Sequence, residues 1–284
     1  MRASRLVAGA VLLAVGLSGC APAAVPARGP AQAEPAEVAL RISGSGAAIP
    51  LVRKLADAYQ LERPSARFEI DAGTNSGGGI QGVLQGTLDL SVANRPLTES
   101  ESIEALDVEP FARDAVAFAV QQSSPVESVS SSQVRDIYGG SLTDWSALGG
   151  PAGPIVLLDR DPDEPMRSLV LLKLLDGRPV QARTTVLTKA IDMVTTMASL
   201  PDALGYTTLA LLHIQDHTDV RVLALDGVVP GRESVTSGAY PWQLTYSLIN
   251  RPNPSVTAQR FLDWVRGPQA LVILSQYDVA AAPA

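Results

Sequence analysis

The sequence predicts an α/β fold on a largely parallel sheet, and three observations predict it. Short alternating or wholly apolar runs recur between segments that carry apolar residues at helical spacing. Turns of small residues join strand to helix at 43–48 and 73–79. A chain of roughly 250 residues follows a compositionally distinct N-terminus, enough for one large or two medium domains.

The elements follow in order. Val38 to Ser43 reads as a strand, and Ile49, Val52, Leu55, Ala56 and Tyr59 form one helical stripe. Arg67 to Asp71 alternates as a half-buried strand; Ile80, Val83 and Leu84 then mark a helix that opens in a glycine turn. Leu88 to Val92 is a third strand. Ala115 to Val120 (AVAFAV) reads as a fully buried strand, and Val134, Ile137 and Tyr138 as a short helix after a Ser-rich stretch. Ile155–Leu158, Leu204–Thr207 and Leu244–Ile249 are further strands. Helices are expected over Met166–Leu175, Lys189–Ser199, around Ala258–Val265 and over Pro268–Gln276. This rhythm is that of βαβ units.

The N-terminus is a separate matter. Arg2 and Arg5 precede an apolar stretch, Leu6 to Leu17, too short to span a bilayer and placed as in a secretory signal. It ends in Leu17-Ser18-Gly19-Cys20, which resembles a bacterial lipobox. A leader over 1–19 and lipidation at Cys20 are therefore expected. Cys20 is the one cysteine, so neither an intramolecular disulfide nor cysteine catalysis is available. Residues 20–36, rich in Ala and Pro, read as an extended tether.

The chain has 22 basic and 29 acidic residues, net −7; without Arg2 and Arg5 the balance is 20 to 29, or −9. An acidic chain with no basic run excludes nucleic acid as the expected partner. The two histidines, His213 and His217, lack a third metal-ligand candidate, and a solvated loop is the simpler reading. No nucleophile elbow or zinc motif is present, so binding is expected rather than catalysis, with no cofactor and no metal.

Chemistry concentrates in three strand-to-helix turns: Ser43 to Ala48, Thr74 to Gly79, and Asp159 to Arg167. In open α/β sheets ligands bind beyond the carboxyl ends of the strands, where such turns converge. At Thr74-Asn75-Ser76-Gly77-Gly78-Gly79, exposed N–H groups and the Ser76 hydroxyl form either an anion cradle at a helix start or a flexible turn. Arg95 fits ligand contact or a pair with a nearby acid. Arg160 fits ligand contact or pairing with Asp159, Asp161 or Asp163. Asp89 reads as structural, and Glu164 as turned away from the site or paired with Arg167.

Several of these stretches together resemble the phosphate-binding proteins that feed high-affinity phosphate ABC transporters, within the periplasmic binding protein superfamily. SGSGAAIPLVRKLADAY is similar to the family's first phosphate loop and helix. GTNSGGGIQGVLQGTLDLSVANRPLTESE is similar to its second loop and next strand. YGGSLTDW, SLPDALGYTTLA and the stretch from Arg251 to Tyr277 extend the likeness over Val38 to Tyr277.

The resemblance implies a two-lobed type II periplasmic-binding-protein (Venus-flytrap) fold with a mixed, largely parallel sheet in each lobe. Residues 37–122 and 241–284 would form the first lobe and 123–240 the second. By position it assigns Ala47, Ala48 and Ile49 to first-loop contacts and Ser76 with Gly77 to second-loop contacts. Asn94 falls where some members carry a ligand-facing Asp, Arg95 where others carry Arg, and Arg160 ahead of a Ser-Gly-Thr triplet. Here that triplet is replaced by Glu164-Pro165-Met166. The implied function is a monomeric, exported, membrane-anchored lipoprotein that captures phosphate and delivers it to an ABC permease. Alternatives on the same fold are another oxyanion or a phosphonate, or a sensor or interaction lipoprotein with a weakened pocket.

Overall fold

The computed structural model describes residues 38–283; the expected leader, Cys20 and the tether lie outside the described residues. Among the described residues no helix is long and apolar enough to cross a membrane.

The chain opens as the βαβ rhythm predicts. Strand β1 (Leu40–Gly44) leads to helix α1 (Ile49–Glu62), which opens with Pro50 in its first turn, where a missing N–H costs nothing. The α1 face of Ile49, Leu51, Val52, Leu55, Ala56 and Tyr59 is buried. Strand β2 (Phe68–Ile70), helix α2 (Asn75–Leu84) and strand β3 (Leu90–Ala93) follow. Both β2 and β3 run parallel to β1, one on each side. β3 starts later than its apolar pattern suggests, because Thr87 and Leu88 donate to Gly82 O in closing the turn after α2. Thr98 and Glu101 form a reciprocal capping box on the single turn α3 (Glu99–Ser102).

Strand β4 (Asp107–Gln121) is more than twice as long as AVAFAV implied. Its first half, with Pro110, Arg113 and Asp114, is too polar to read as a strand but pairs with β11 (Gln243–Asn250) from Asp107 to Ala115. Pro110 sits at a register shift in that ladder, where a missing donor is tolerated. From Val116 to Ala119 the same strand pairs instead with β8 (Ala203–Thr208), and its last residues with β9 (Val220–Val222).

Between these lie β5 (Ser128–Val129), α4 (Ser131–Tyr138), a 3₁₀ turn at Trp145–Leu148, and β6 (Val156–Arg160). The expected helix from Met166 begins as a π-helix (Met166–Leu171) before a short α5 (Leu172–Leu174). β7 (Thr185–Leu187) and α6 (Ala190–Ser199) lead into β8. After β8 comes α7 (Leu209–Ile214), which carries His213 and so replaces the expected loop at that residue. A buried carboxylate, Asp114, accepts from Ala210 N–H at 3.2 Å at the start of α7. It sits where the polar first half of β4 meets the AVAFAV run, just outside the stretch whose pattern reads as a strand. β10 (Ala224–Leu225) and α8 (Arg232–Thr236) complete this part. After β11, helices α9 (Val256–Val265) and α10 (Pro268–Gln276) and strand β12 (Ala280–Ala281) finish the chain close to expectation.

The main sheet runs β2-β1-β3-β11-β4-β8-β6-β7, with β9 and β12 also on β4. β6 is parallel to β7 and β8, so parallel strands flank a central antiparallel stretch and the sheet is mixed. Two aromatic groups fix what surrounds the strand ends. Tyr59, Phe68, Phe261 and Trp264 pack edge to face or stacked across α1, β2 and α9. Phe118, Tyr138 and Tyr206 lie within 6.1–6.3 Å of one another across β4, α4 and β8.

The glycines around the first two turns do not share one role. A Cβ at Gly79 would lie 2.4 Å from Ser91 Oγ and 2.7 Å from Gly44 Cα, so α2 rests on β1 through the missing side chain. Gly46, by contrast, faces open space. Gly79→Ala is expected to destabilise the fold by about 1–3 kcal/mol through overpacking, whereas Gly46→Ala stays within about 1 kcal/mol of the parent. Urea unfolding midpoints of the two variants check this.

Candidate functional site

The C-terminal ends of β1, β2 and β3 bring the first two turns into contact. Gly44 has φ 138°, and a side chain there would collide with Val92 O. Gly73 lies against Gly44 and Gly46, and Ser43 Oγ is 3.2 Å from Thr74 Oγ1. The first turn is then closed tightly. Ala48 and Ile49 N–H both donate to Ser45 O, at 3.1 and 2.9 Å, while the side chains of Ala47, Ala48 and Ile49 are buried. Of the three first-loop residues, Ala47 is the one whose amide has no partner among the described residues.

Helix α2 starts with its end open. Thr74 at the N-cap makes no side-chain cap, and Asn75, at φ 60°, turns its Oδ1 to accept from Gly78 N–H at 2.8 Å. Ser76 and Gly77 N–H have no acceptor among the described residues. The buried Ser76 hydroxyl donates to Asn94 Oδ1 at 3.0 Å and accepts from Asn94 N–H at 3.4 Å. It therefore orients the Asn94 amide, whose Nδ2 is buried without a partner. A buried unpaired donor carries a desolvation cost, and here it stands beside two open backbone donors.

Arg95 extends the same edge: its Nη2 is 3.6 Å from where a Cβ on Gly77 would be. It is held by a bidentate pair with Glu101, at 2.7 and 2.9 Å, and donates to Pro96 O at 2.8 Å. Glu101 in turn accepts from Thr98 N–H. The sequence reading missed Glu101, although Thr98-Glu99-Ser100-Glu101 has the spacing of a capping box and could have found it. Asp89, as expected, is structural. It accepts from Arg41 N–H and its guanidinium at the opposite end of the strands.

The third turn has a different character. Arg160 ends β6 with its side chain 5% exposed. Its Nη1 donates to Leu187 O at 3.0 Å, Nη2 lies 3.9 Å from Glu164 Oε1, and Nε is buried without a partner. The three aspartates do not bind this guanidinium. Asp159 accepts from Tyr206 OH at 2.7 Å and from Arg167 Nε at 2.9 Å, whereas Asp161 and Asp163 are exposed. Glu164 is neither turned out nor paired with the Arg167 side chain, because Asp159 holds that guanidinium. It is tucked in, with Oε2 accepting from Met166 N–H at 2.8 Å. Burial pushes the Glu164 carboxyl above the usual carboxylate range, against the pull of Arg160.

His213 and His217 stay apart from all of this, and no cluster of metal-ligating side chains occurs among the described residues. Two surface hollows of about 340 and 320 Å³ also lie elsewhere, one around Asp89 and Arg251, the other around Arg53 and Phe68. What the strand ends offer is a set of donors: open amides, an oriented carboxamide and two buried or half-buried guanidiniums. That is chemistry for an oxyanion.

Residues 29–268 match the PBP superfamily domain. The phosphate-binding protein PstS of Bacillus subtilis is 30% identical over 237 residues, covering 82% of this chain and 77% of that protein. A Clostridium perfringens structure, described as a phosphate ABC transporter substrate-binding protein with bound phosphate, superposes with a TM-score of 0.78 at 21% identity, over 87% of this chain and all of that one (100%). An ABC-type phosphate transport receptor from Vibrio cholerae gives 0.66 at 22% identity, over 86% and 100%. At these identities the two structures speak for the fold alone.

The Arg95–Glu101 pair makes a pH prediction. The hydrogen-bonded guanidinium holds the Glu101 carboxyl down at about 2, from an ordinary 4.5. A depressed folded value means the stabilisation is present above 4.5 and is lost as pH falls toward 2. Unfolding free energy is expected to drop by about 2–3 kcal/mol more across that window than in Glu101→Gln. Urea titrations of both proteins at several pH values measure the difference.

Proposed function

The chain belongs to the PBP superfamily and to the PstS family of phosphate-binding proteins, and on that footing we propose that it captures phosphate at the carboxyl ends of β1–β3 and β6 and delivers it to an ABC permease. The observation that carries this reading is the open start of α2. Ser76 and Gly77 N–H are unpaired among the described residues, and the Ser76 hydroxyl orients the buried, unpartnered Asn94 Nδ2 beside Arg95. Ala47 N–H adds to this group, and Arg160 serves from the second side. The donors bind and orient a tetrahedral anion; nothing in the proposal requires bond cleavage, metal or cofactor.

Hydrogen bonds to a charged group contribute about 1.5–3 kcal/mol each. A handful of them supports micromolar capture, about −8 kcal/mol, after the entropy of association is met. The proposed cleft lies between a lobe of residues 37–122 with 241–284 and a lobe of 123–240. A change of partner within β4, from β11 to β8 at Ala115–Val116, supports a division along this strand, ahead of the proposed bound at 122.

Calorimetric titration with inorganic phosphate tests the site. Ser76→Ala releases the Asn94 carboxamide and is expected to weaken binding about 10- to 150-fold. Arg95→Gln is expected to cost at least as much, since it also leaves the Glu101 carboxylate unpaired beside the ligand. Parental affinity in both variants would reduce the glycine turn to a turn.

Exported localisation and anchoring are part of the same proposal and rest on the leader and Cys20, outside the described residues. Cys20→Ser is expected to move the protein from the membrane fraction to the soluble fraction. Unchanged fractionation would remove the anchor.

A further inference from the structure

The second side of the site already contains an anion. Arg160 is buried with one nitrogen unpartnered, and four residues later the Glu164 carboxylate lies 3.9 Å from its Nη2 while accepting Met166 N–H at 2.8 Å. An oxyanion drawn to Arg160 from this side meets a carboxylate that uses the same guanidinium and a neighbouring amide. At about 5 Å and an effective dielectric near 20, each unit of ligand charge is opposed by a repulsion equivalent to roughly 100-fold in affinity.

We infer that Glu164 sets the specificity and pH response of this site by acting as a resident anion, so that an oxyanion engages the Arg160 side only as Glu164 takes up a proton. The inference rests on the oxyanion reading of the site. It makes binding proton-coupled: a neutral carboxyl removes the repulsion and leaves Arg160 to the ligand.

The surroundings of Glu164 agree. Arg160, at the end of β6, is the cation that faces it and favours its charged form, as do the Met166 and Arg167 backbone amides. Asp161 disfavours that form, as burial does more strongly. From β8 and β11 the facing titratable groups are the hydroxyls of Tyr206 and Tyr246, both raised well above their ordinary range and neutral throughout the working pH. The Arg167 guanidinium is committed to Asp159. No second cation therefore neutralises Glu164 among the described residues, and protonation is the available route.

Titration of the full chain and of Glu164→Gln with inorganic phosphate, from about pH 5.5 to 8.5, separates the possibilities. The ionisation of phosphate is common to both proteins, so the ratio of their affinities reports Glu164. Glu164→Gln is expected to bind roughly 100-fold more tightly at the alkaline end, with the gap closing as pH falls. In buffers of different ionisation heat, the parent is expected to take up more protons on binding than the variant. Equal affinities across the whole range, or weaker binding by Glu164→Gln, would overturn the inference while leaving the oxyanion site intact. If the variant does not fold, proton uptake by the parent decides: none beyond that of phosphate itself overturns it. Absence of saturable binding in the parent at every pH would remove the oxyanion reading and this inference with it.

Discussion

The contact on which the site depends is the one between Gly79 of α2 and Gly44 of β1. With a side chain on neither residue, the helix descends onto the strand until the Gly79 Cα region meets Ser91 and Gly44 directly. That depth puts the first turn of α2 level with the end of β3, within reach of Asn94. The Ser76–Asn94 hydrogen bonds and the approach of Arg95 to Gly77 follow from it. Close packing of this kind transmits small changes, because dense interiors relax little. A methyl group at Gly79 would thus press on Ser91 and Gly44, three residues along α2 from Ser76.

The two sides of the proposed cleft handle charge differently. On the first, the partners are neutral dipoles plus one arginine whose charge is balanced by Glu101. On the second, Asp159, Arg160, Glu164 and Arg167 are all largely buried and arranged so that Asp159 satisfies Arg167 while Glu164 stands near Arg160. Tyr206 ties Asp159 to β8, and Tyr138 donates to Leu158 O, so the end of β6 is held rigidly. For buried pairs of this kind the desolvation penalty offsets much of the attraction, so they are weak evidence of stability. The first side thus carries donors whose one full charge is balanced, and the second a carboxylate beside its arginine.

Much of this was legible in the sequence, and what was not has physical reasons. Element order was readable because apolar spacing reports directly on burial, as along α1 and α9. The extent of β4 was not, since its polar half is stabilised by the β11 ladder rather than by its own side chains. The two glycine-bearing turns could be placed, but their glycines could not be sorted into packing ones such as Gly79 and open ones such as Gly46, because that depends on residues such as Ser91 and Gly44 arriving from elsewhere in the chain. Pairing was hardest. Arg95 had a nearby acid, Glu101, whose capping-box spacing was visible but unused. Glu164 had arginines four residues before it and three after, and the buried Asp159 settled which one remained free for it.

The central claim is that the open amides at the start of α2 are the ligand's donors. Amide proton–nitrogen spectra recorded during a phosphate titration address it most directly. The account predicts that the Ser76 and Gly77 backbone signals, together with the Asn94 side-chain amide, move downfield and saturate at one common phosphate concentration. Signals from these three groups that stay fixed while the protein demonstrably binds phosphate would contradict it.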